Sequence, residues 1–157
     1  MNGYSLKTIF VAWLITGTMD MSVACLNYYN NTGKSIDNVF KFIASGLTGQ
    51  AAFAGGHGTS LLGIVLHYTI ALFFVLFYVF VFCRITELTG SRFMTGFLYG
   101  LFIWATMSFI VLPLSATPKA PFQLQNQVVA ATILIACIGL PLALFLYPAT
   151  KANHSFS

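Results

Sequence analysis

Two ionisable residues, Asp20 and His67, interrupt long apolar stretches of this chain, and their chemistry is what most needs explaining. A carboxylate at the centre of a membrane-spanning helix costs about 2.5–3.5 kcal/mol, so an ionisable residue there is by default a candidate functional site. A carboxyl and an imidazole side by side could relay a proton or bind a small polar ligand. Burial and a nearby opposite charge act on each pKa in opposite senses, so the sequence alone leaves their protonation states open.

The positions of the two residues predict that they meet. Asp20 lies about nine residues before the end of the first apolar segment, and His67 about seven after the start of the second. Those two ends share one side of a membrane, so at about 1.5 Å per helical residue both groups lie about 10–14 Å below it. Helical spacing also puts each of them on a face of small and polar residues, which in membranes marks helix–helix contacts. These faces contain Thr16 and Gly17 around Asp20, and Ser60 and Gly63 around His67.

Two interpretations of an Asp20–His67 pair stay open. In the structural one, a hydrogen-bonded pair fixes the register of two helices, with Thr16, Ser60 or Tyr68 completing the network. In the functional one, the pair changes its protonation state or binds a ligand. All four apolar segments also carry glycines at positions that predict close helix packing. These are Gly17, Gly63, Gly96, Gly100 and Gly139.

The composition identifies the environment in which these residues would act. Hydrophobic residues make up 58% of the 157 and charged residues 6%, against about 25% charged in a soluble domain. Crossing a bilayer takes about 20 mostly apolar residues, and four segments of this chain are long enough. We predict an all-α integral membrane protein, a single domain over residues 1–157 that forms a four-helix bundle, with the lipid bilayer as its main partner. The predicted spans are 8–29, 60–84, 93–113 and 127–148.

The connections between the spans differ in character. In residues 35–47, apolar side chains recur at helical spacing with Asp37, Lys41 and Ser45 on the other side, which predicts a short amphipathic helix. Such a helix either lies on the membrane surface or packs against the end of the bundle, and both arrangements stay open. The short stretch "RITELTGSR" predicts a tight turn between spans two and three. An extended loop is predicted after span three by Pro113, Pro118 and Pro121.

The basic residues favour one orientation by a small margin. With four spans, both termini share a side with the second connection. That side carries Lys7, Arg84, Arg92 and Lys151, and the opposite side carries Lys34, Lys41 and Lys119. Four basic residues against three place both termini in the cytoplasm under the positive-inside rule.

The first span also resembles a secretory signal peptide, because Lys7 precedes an apolar core and "SVAC" resembles a lipoprotein cleavage site. Asp20 interrupts that core before the site, however, and Ser22 replaces the aliphatic residue expected there. We therefore expect the segment to be retained as a span.

Several function classes lack any signal in the sequence. The basic residues form no dense run, which argues against nucleic-acid binding. The three cysteines follow no metal-ligand spacing, and no serine, histidine and carboxylate stand in a catalytic pattern. His57 lies in a glycine-rich turn without phosphate-binding spacing, and it is about 15 Å along one helix from His67, too far for a single haem iron. We therefore predict a non-enzymatic protein with no catalytic residue, no metal and no cofactor.

Residues 42–122 resemble a known family. The stretches "FIASGLTGQAAFAGG", "LLGIVLHYTIALFFVLFY" and "GFLYGLFIWATMSFIVLPLSATPKAPF" are similar in order and spacing to a group of small bacterial inner-membrane proteins of unknown function. The YagU-type family is similar more distantly, through its glycine–histidine start of a span and its "PL…TPP"-like exit. The resemblance implies a four-helix inner-membrane protein in which His67 and the proline-rich loop belong to the shared pattern. It implies no reaction or ligand, and the first span matches less clearly.

Together these observations predict a small non-enzymatic protein of the bacterial inner membrane, with an Asp20–His67 site that responds to protons or a small ligand. Two other classes stay open. One is an accessory or assembly subunit of a larger membrane complex, and the other is a membrane enzyme or a cofactor carrier, including haem held by His67 and a methionine of another helix. Four helices are few to enclose a transport path, so a transporter would need to form a homo-oligomer.

Overall fold

The computed structural model describes residues 4–82, 91–119 and 123–146, and within these residues it contains helices and connections but no strand. Four helices are long and apolar enough to cross a membrane: α1 (Leu6–Thr32), α4 (His57–Phe82), α5 (Arg92–Leu114) and α6 (Leu124–Phe145). Two short helices lie between the first two of these: α2 (Asp37–Thr48) and α3 (Ala51–Ala54). The prediction of an all-α chain with four such helices is confirmed for these residues.

The long helices begin one to three residues before the predicted spans, and two of the predicted ends are shifted outward as well. Ser5 caps α1 by accepting a hydrogen bond from the Lys7 backbone N–H, and Gly33 ends the helix in a left-handed conformation with φ 64°. Glycine suits this position because it has no Cβ to clash there. The predicted ends at residues 84 and 148 lie outside the described residues. So does the predicted tight turn between spans two and three, except for its last two residues, 91 and 92.

Three of the long helices widen into a π-helical turn, and two of these turns precede a proline. Met107–Val111 in α5 is followed by Pro113, and Ile135–Gly139 in α6 is followed by Pro141. Proline lacks an N–H, and its ring clashes with the carbonyl four residues earlier in a regular helix. A wider turn displaces that carbonyl, so the helix continues past the proline. Pro113, predicted as the last residue of span three and the first proline of the loop, lies inside α5, which continues to Leu114, and the extended segment begins at Ser115.

Helices α5 and α6 approach each other closely enough for their backbones to touch. A Cβ atom placed on Gly139 would overlap the carbonyl oxygen of Gly96 and lie 2.8 Å from the Gly100 nitrogen. A Cβ on Gly100 would likewise overlap Ile135, at the start of the π-helical turn of α6. Glycines permit such approach between membrane helices because nothing stands between the two backbones.

The apolar core lies toward the end of the protein that carries the N-terminus and the end of α6. Its largest fully buried side chains are Tyr78 of α4, Tyr99 and Ile103 of α5, and Leu142 of α6. The Tyr99 hydroxyl donates a 2.5 Å hydrogen bond to the Phe74 carbonyl and so ties α5 to α4. The Tyr4 hydroxyl donates in the same way to the Leu146 carbonyl, at 2.5 Å.

Helix α2 packs against the first two turns of α4. A Cβ on Gly63 would overlap the Phe40 carbonyl, so the α2 backbone lies directly on this glycine. Asp37, one turn earlier on α2, accepts a 2.5 Å hydrogen bond from the Ser60 hydroxyl. At its other end, the Gly46 carbonyl accepts a 3.0 Å bond from the Ala116 backbone N–H, in the segment after α5. Of the two arrangements left open by the sequence, these contacts are those of a helix packed on its neighbours.

The face of α2 that contacts α4 is the polar and small one. Ala44 and Ser45 are fully buried, and the Lys41 side chain is 16% exposed. Leu47 and Phe42 are 66% and 43% exposed, while Phe40 and Ile43 are partly buried. A backbone that lies on a glycine leaves room only for small side chains beside it. The helix thus continues the apolar outer surface of α4, where Leu61 is also exposed.

Candidate intramembrane Asp20–His67 site

His67 joins α4 to α1 through its imidazole ring. The Nε2 atom lies 2.9 Å from the carbonyl oxygen of Gly17, which is buried in the interior of α1. Because a carbonyl oxygen only accepts hydrogen bonds, Nε2 carries the proton of this contact. The other ring nitrogen, Nδ1, takes no part in this contact.

Asp20 follows Gly17 by three residues on α1 and is partly buried. Its carboxylate is near enough to His67 for an electrostatic interaction, but the two side chains do not form an ion pair within 4.0 Å. Among the residues that the structure describes, no hydrogen bond to the Asp20 carboxylate is found. The interaction that fixes the α1–α4 register is thus between His67 and a backbone carbonyl, and the carboxylate lies beside it without a direct partner.

Both groups lie deeper than the sequence predicts. Asp20 precedes the end of α1 at Thr32 by twelve residues, and His67 follows the start of α4 by ten. At about 1.5 Å per residue these offsets are about 18 Å and 15 Å, against a hydrocarbon core of about 30 Å. The difference from the predicted 10–14 Å arises because both helices extend further toward the first connection than expected. The pair is at the middle of the two candidate spans.

Tyr68 flanks the pair on its outer edge. The ring of Tyr68 meets the His67 ring edge-on, with the ring centroids 5.4 Å apart, and it packs where a Cβ on Gly17 would lie 3.2 Å away. Its hydroxyl forms a 2.9 Å hydrogen bond with the exposed Thr18 hydroxyl rather than with Asp20. Its backbone carbonyl accepts a 2.8 Å bond from the Trp13 indole N–H. Tyr68 therefore strengthens the α1–α4 contact without completing a network to the carboxylate.

Two other residues expected in this network lie elsewhere. The Thr16 hydroxyl is buried and donates 2.8 Å back to the Ala12 carbonyl of its own helix, which satisfies it locally. Ser60 precedes His67 by two helical turns, about 10 Å along α4, and it bonds to Asp37 of α2. The expected participation of Thr16 and Ser60 is therefore corrected, because each hydroxyl has a nearer partner.

A further residue, Cys137, belongs to the surroundings of the pair. It lies in the π-helical turn of α6, is buried, and its thiol is close enough to Asp20 for an electrostatic interaction. The three cysteines follow no metal-ligand spacing and are interpreted from the sequence as small apolar core residues, so Cys137 is not predicted as part of the site. Its position near the middle of the fourth span, at the depth of Asp20, is the signal that identifies it. Within the described residues, no three histidine, cysteine or acidic side chains come together as a metal site would need.

A second polar cluster lies at the start of α4. The Asp37 carboxylate accepts from Ser60 and also pairs with the Lys41 ammonium at 2.9 Å. These two hydrogen bonds, with the charges of Lys41 and of nearby His57, lower the pKa of Asp37 below its ordinary value of 3.8. Asp37 therefore stays ionised at neutral pH and holds α2 on α4.

No family model, curated protein or solved structure matches this chain. The similarity to small bacterial inner-membrane proteins and, more distantly, to the YagU-type family stays a prediction from the sequence. The site consists of two ionisable residues, Asp20 and His67, on facing helices at matching depth.

Proposed function

We propose that the protein is a small, non-enzymatic protein of the bacterial inner membrane whose Asp20–His67 pair changes its protonation state in response to pH. The four apolar helices would form a four-helix bundle in the lipid bilayer, with both termini in the cytoplasm. This orientation follows from the slight excess of basic residues on the side of the termini.

The observation that carries the proposal is the Asp20 carboxylate without a direct partner beside a histidine with a titratable nitrogen. A carboxylate retained for helix register alone would be expected to accept a hydrogen bond across the interface, since an unsatisfied polar group in hydrocarbon costs several kcal/mol. Here the His67–Gly17 bond holds the two helices, so the register does not require Asp20. A role in which the charge changes explains why the carboxylate is there.

Protonation at this position has a mechanical consequence for the α1–α4 interface. A charged imidazole next to an ionised carboxylate attracts it, while two neutral groups interact only weakly. The attraction acts between the interior of α1 and the interior of α4, one turn from the Gly17–Tyr68 contact. Gain or loss of a proton therefore changes the force between two spans at the centre of the membrane, which is the property of a pH-responsive element.

The test follows His67 by NMR with ¹⁵N-labelled histidine in lipid nanodiscs as the pH is changed. The proposal predicts that the His67 ring changes its protonation state between about pH 4 and 9. It also predicts that Asp20→Asn displaces the midpoint by on the order of 0.5 pH unit or more, because a neighbouring charge has been removed. The matched control is Thr69→Val, which removes an exposed hydroxyl bonded within α4 and should leave the midpoint unchanged.

Two results would contradict the proposal. A His67 ring that keeps one protonation state across this pH range would leave the pair with a structural role. A midpoint that responds equally to Asp20→Asn and to Thr69→Val would show that the carboxylate is not coupled to the imidazole.

A further inference from the structure

The Asp20–His67 pair lies at the boundary between two differently packed halves of the protein. On one side of the pair are the part of α1 before Asp20, the part of α4 after His67, the first half of α5 and the second half of α6. The contiguous buried core lies within these segments. It consists of Ala12, Phe74, Val75, Tyr78, Phe82, Tyr99, Ile103, Ile138, Leu142, Ala143 and Leu146.

The half on the other side of the pair buries fewer of the described residues, and those on α1 are Met21 and Cys25. No residue of α5 after Ile103 is buried, and none of α6 before Cys137 is buried. The buried residues that α4 has there, Ser60 and Gly63, are those in contact with α2. A helix that packs tightly buries residues on each turn of its inner face, so these parts of α5 and α6 do not close against their neighbours.

Polar side chains line the loosely packed half. The Gln127 side-chain oxygen on α6 accepts hydrogen bonds from the Trp104 indole and the Ser108 hydroxyl of α5, each at 3.3 Å. All three residues are partly buried, as is Asn27 on the facing part of α1. Side chains of this kind offer the two to four partners that a water molecule needs inside a protein.

In the tightly packed half, four side-chain hydroxyls donate to backbone carbonyls. The Tyr99 hydroxyl donates to Phe74 and the Tyr4 hydroxyl to Leu146, and the buried Thr16 and Thr95 hydroxyls donate to carbonyls one turn earlier. Aromatic rings fill the space between α4 and α5, with the Tyr78 and Tyr99 rings 4.9 Å apart and the Phe77 and Phe102 rings stacked at 5.2 Å. Apolar space packed in this way stays dry.

We propose that the Asp20–His67 pair exchanges protons with water from one side of the membrane only, through the half that carries the first and third connections. This inference rests on the proposed function, and in the proposed orientation that side is the outer one. The protein then senses the pH outside the cell and not the pH of the cytoplasm.

The other titratable groups around the pair are consistent with one-sided access. Cys137 of α6 is buried near Asp20, and the Tyr68 hydroxyl of α4 is bonded to Thr18. Cys25 is buried further along α1. The charges of α2, Asp37 and Lys41, are paired with each other at the start of α4. On α5, which bears no carboxylate or histidine, Tyr99 is bonded to a carbonyl in the tightly packed half.

The first experiment measures water access with single cysteines, in a background that carries Cys25→Ala, Cys83→Ala and Cys137→Ala. Ser108→Cys and Asn27→Cys probe the loosely packed half on two different helices. Thr95→Cys is the matched control on α5, since Thr95 is fully buried in the other half. A membrane-impermeant methanethiosulfonate reagent is added to proteoliposomes in which the tagged C-terminus fixes the orientation.

The proposal predicts that both cysteines of the loosely packed half react from the side of the first connection, at least tenfold faster than Thr95→Cys reacts from either side. Two probes on separate helices protect the result against one variant that fails to fold. Unreactive cysteines at both positions, or a Thr95→Cys rate that equals theirs, would overturn the one-sided route.

The second experiment changes pH on one side of the same oriented proteoliposomes, with unmodified protein, and follows the Asp20 carboxyl by infrared difference spectroscopy. Asp20→Asn identifies the band. We expect a change only when the pH is altered on the side of the first connection. A response to either side would overturn the one-sided route and leave the proposed function intact, while a response to neither side would overturn both.

Discussion

Asp20 and Asp37 are the two acidic residues that the structure describes, and they have opposite surroundings. Asp37 pairs with Lys41 at 2.9 Å and accepts a 2.5 Å bond from Ser60, so its negative charge is satisfied twice. Asp20 lies at the middle of the candidate span α1, and His67 of α4 is nearby. No direct partner of the Asp20 carboxylate is found among the described residues. Asp37 lies at the end of a helix, where a charge costs less than at the middle of a span, and yet it has the better partners.

The difference indicates which carboxylate serves the fold. A charge that holds two elements together is paired, and its pKa is moved away from the pH range in which the protein works. A charge that has to change is placed beside a second titratable group and kept free of fixed hydrogen bonds. By this comparison Asp37 is a structural residue that docks α2, and Asp20 is the candidate for a change of protonation.

The largest loss of stability is expected from Gly63→Ala, at the α2–α4 contact that holds Asp37 in place. The new Cβ would overlap the Phe40 carbonyl, so α2 has to move away, at a cost of about 1–3 kcal/mol in the free energy of unfolding. Unfolding in mixed micelles, followed by circular dichroism, measures the loss. Gly58→Ala is the control, because a Cβ there has open space around it, and alanine in a helix is otherwise favourable. Equal stability of the two variants would show that α2 does not rest on Gly63.

A smaller effect is expected from Asp37→Asn, and its dependence on pH distinguishes it from Asp20. Ser60 and Lys41 lower the pKa of Asp37 in the folded state below 3.8, so its stabilising contribution is present above that pH. The contribution is lost as the pH falls from about 3.8 through the lowered value, because the unfolded state then binds the proton more readily. Docking of α2, measured by amide hydrogen exchange in residues 37–48, should be constant from about pH 9 to 5 and weaken below about pH 4.

In Asp37→Asn, α2 should exchange faster at neutral pH and lose this acid dependence. Ser60→Ala serves as a second variant, since it removes the first of the two hydrogen bonds while the charge stays. Exchange in α2 that varies between about pH 5 and 9 would mean that a group other than Asp37 controls the docking, and the division between the two carboxylates would not hold.

Asp20→Asn is expected to cause a still smaller loss of stability. Because no hydrogen bond or ion pair to the carboxylate is found among the described residues, its neutralisation should lower the free energy of unfolding by at most about 0.5 kcal/mol at neutral pH, and removal of an unpartnered charge from the span acts to raise it. His67→Ala, by contrast, removes the bond to the Gly17 carbonyl and should cost about 1 kcal/mol or more. A loss in Asp20→Asn as large as that in His67→Ala would indicate that both residues hold the helices together, and would favour the structural interpretation.

The sequence predicts the helices of this protein better than their contacts. Four apolar segments of sufficient length leave little choice of secondary structure in a membrane, because every backbone polar group has to be satisfied within its own helix. The proximity of Asp20 and His67 follows from their offsets to the same boundary. The atom that His67 contacts does not follow, because a backbone carbonyl leaves no signature in the side-chain pattern.

The orientation of α2 could not be predicted from the sequence either, for a physical reason. A hydrophobic stripe on a helix identifies the face that avoids water, but next to a membrane both lipid and protein satisfy that requirement. The side of α2 that carries Asp37 faces α4 because Gly63 admits a backbone beside it, and Ser60 provides a partner for Asp37. Both facts depend on a second helix. The same holds for Pro113, whose place in α5 depends on a π-helical turn that has no sequence signal of its own.

The smallest effect is expected at Tyr68, and it tests whether the pair is as isolated from its neighbours as its geometry indicates. Tyr68→Phe removes a hydrogen bond to the Thr18 hydroxyl at an exposed position and keeps the ring against Gly17 and His67, so the loss of stability should be about 0.5 kcal/mol or less. Thr18→Val should cost the same, and the double variant no more than either alone, because one bond is removed in all three. The His67 midpoint should be unchanged in Tyr68→Phe, since the hydroxyl bonds to Thr18 and not to the imidazole. A shift as large as that of Asp20→Asn would place Tyr68 in the titrating group, and Asp20 would then share its proton with a hydroxyl as well as with His67.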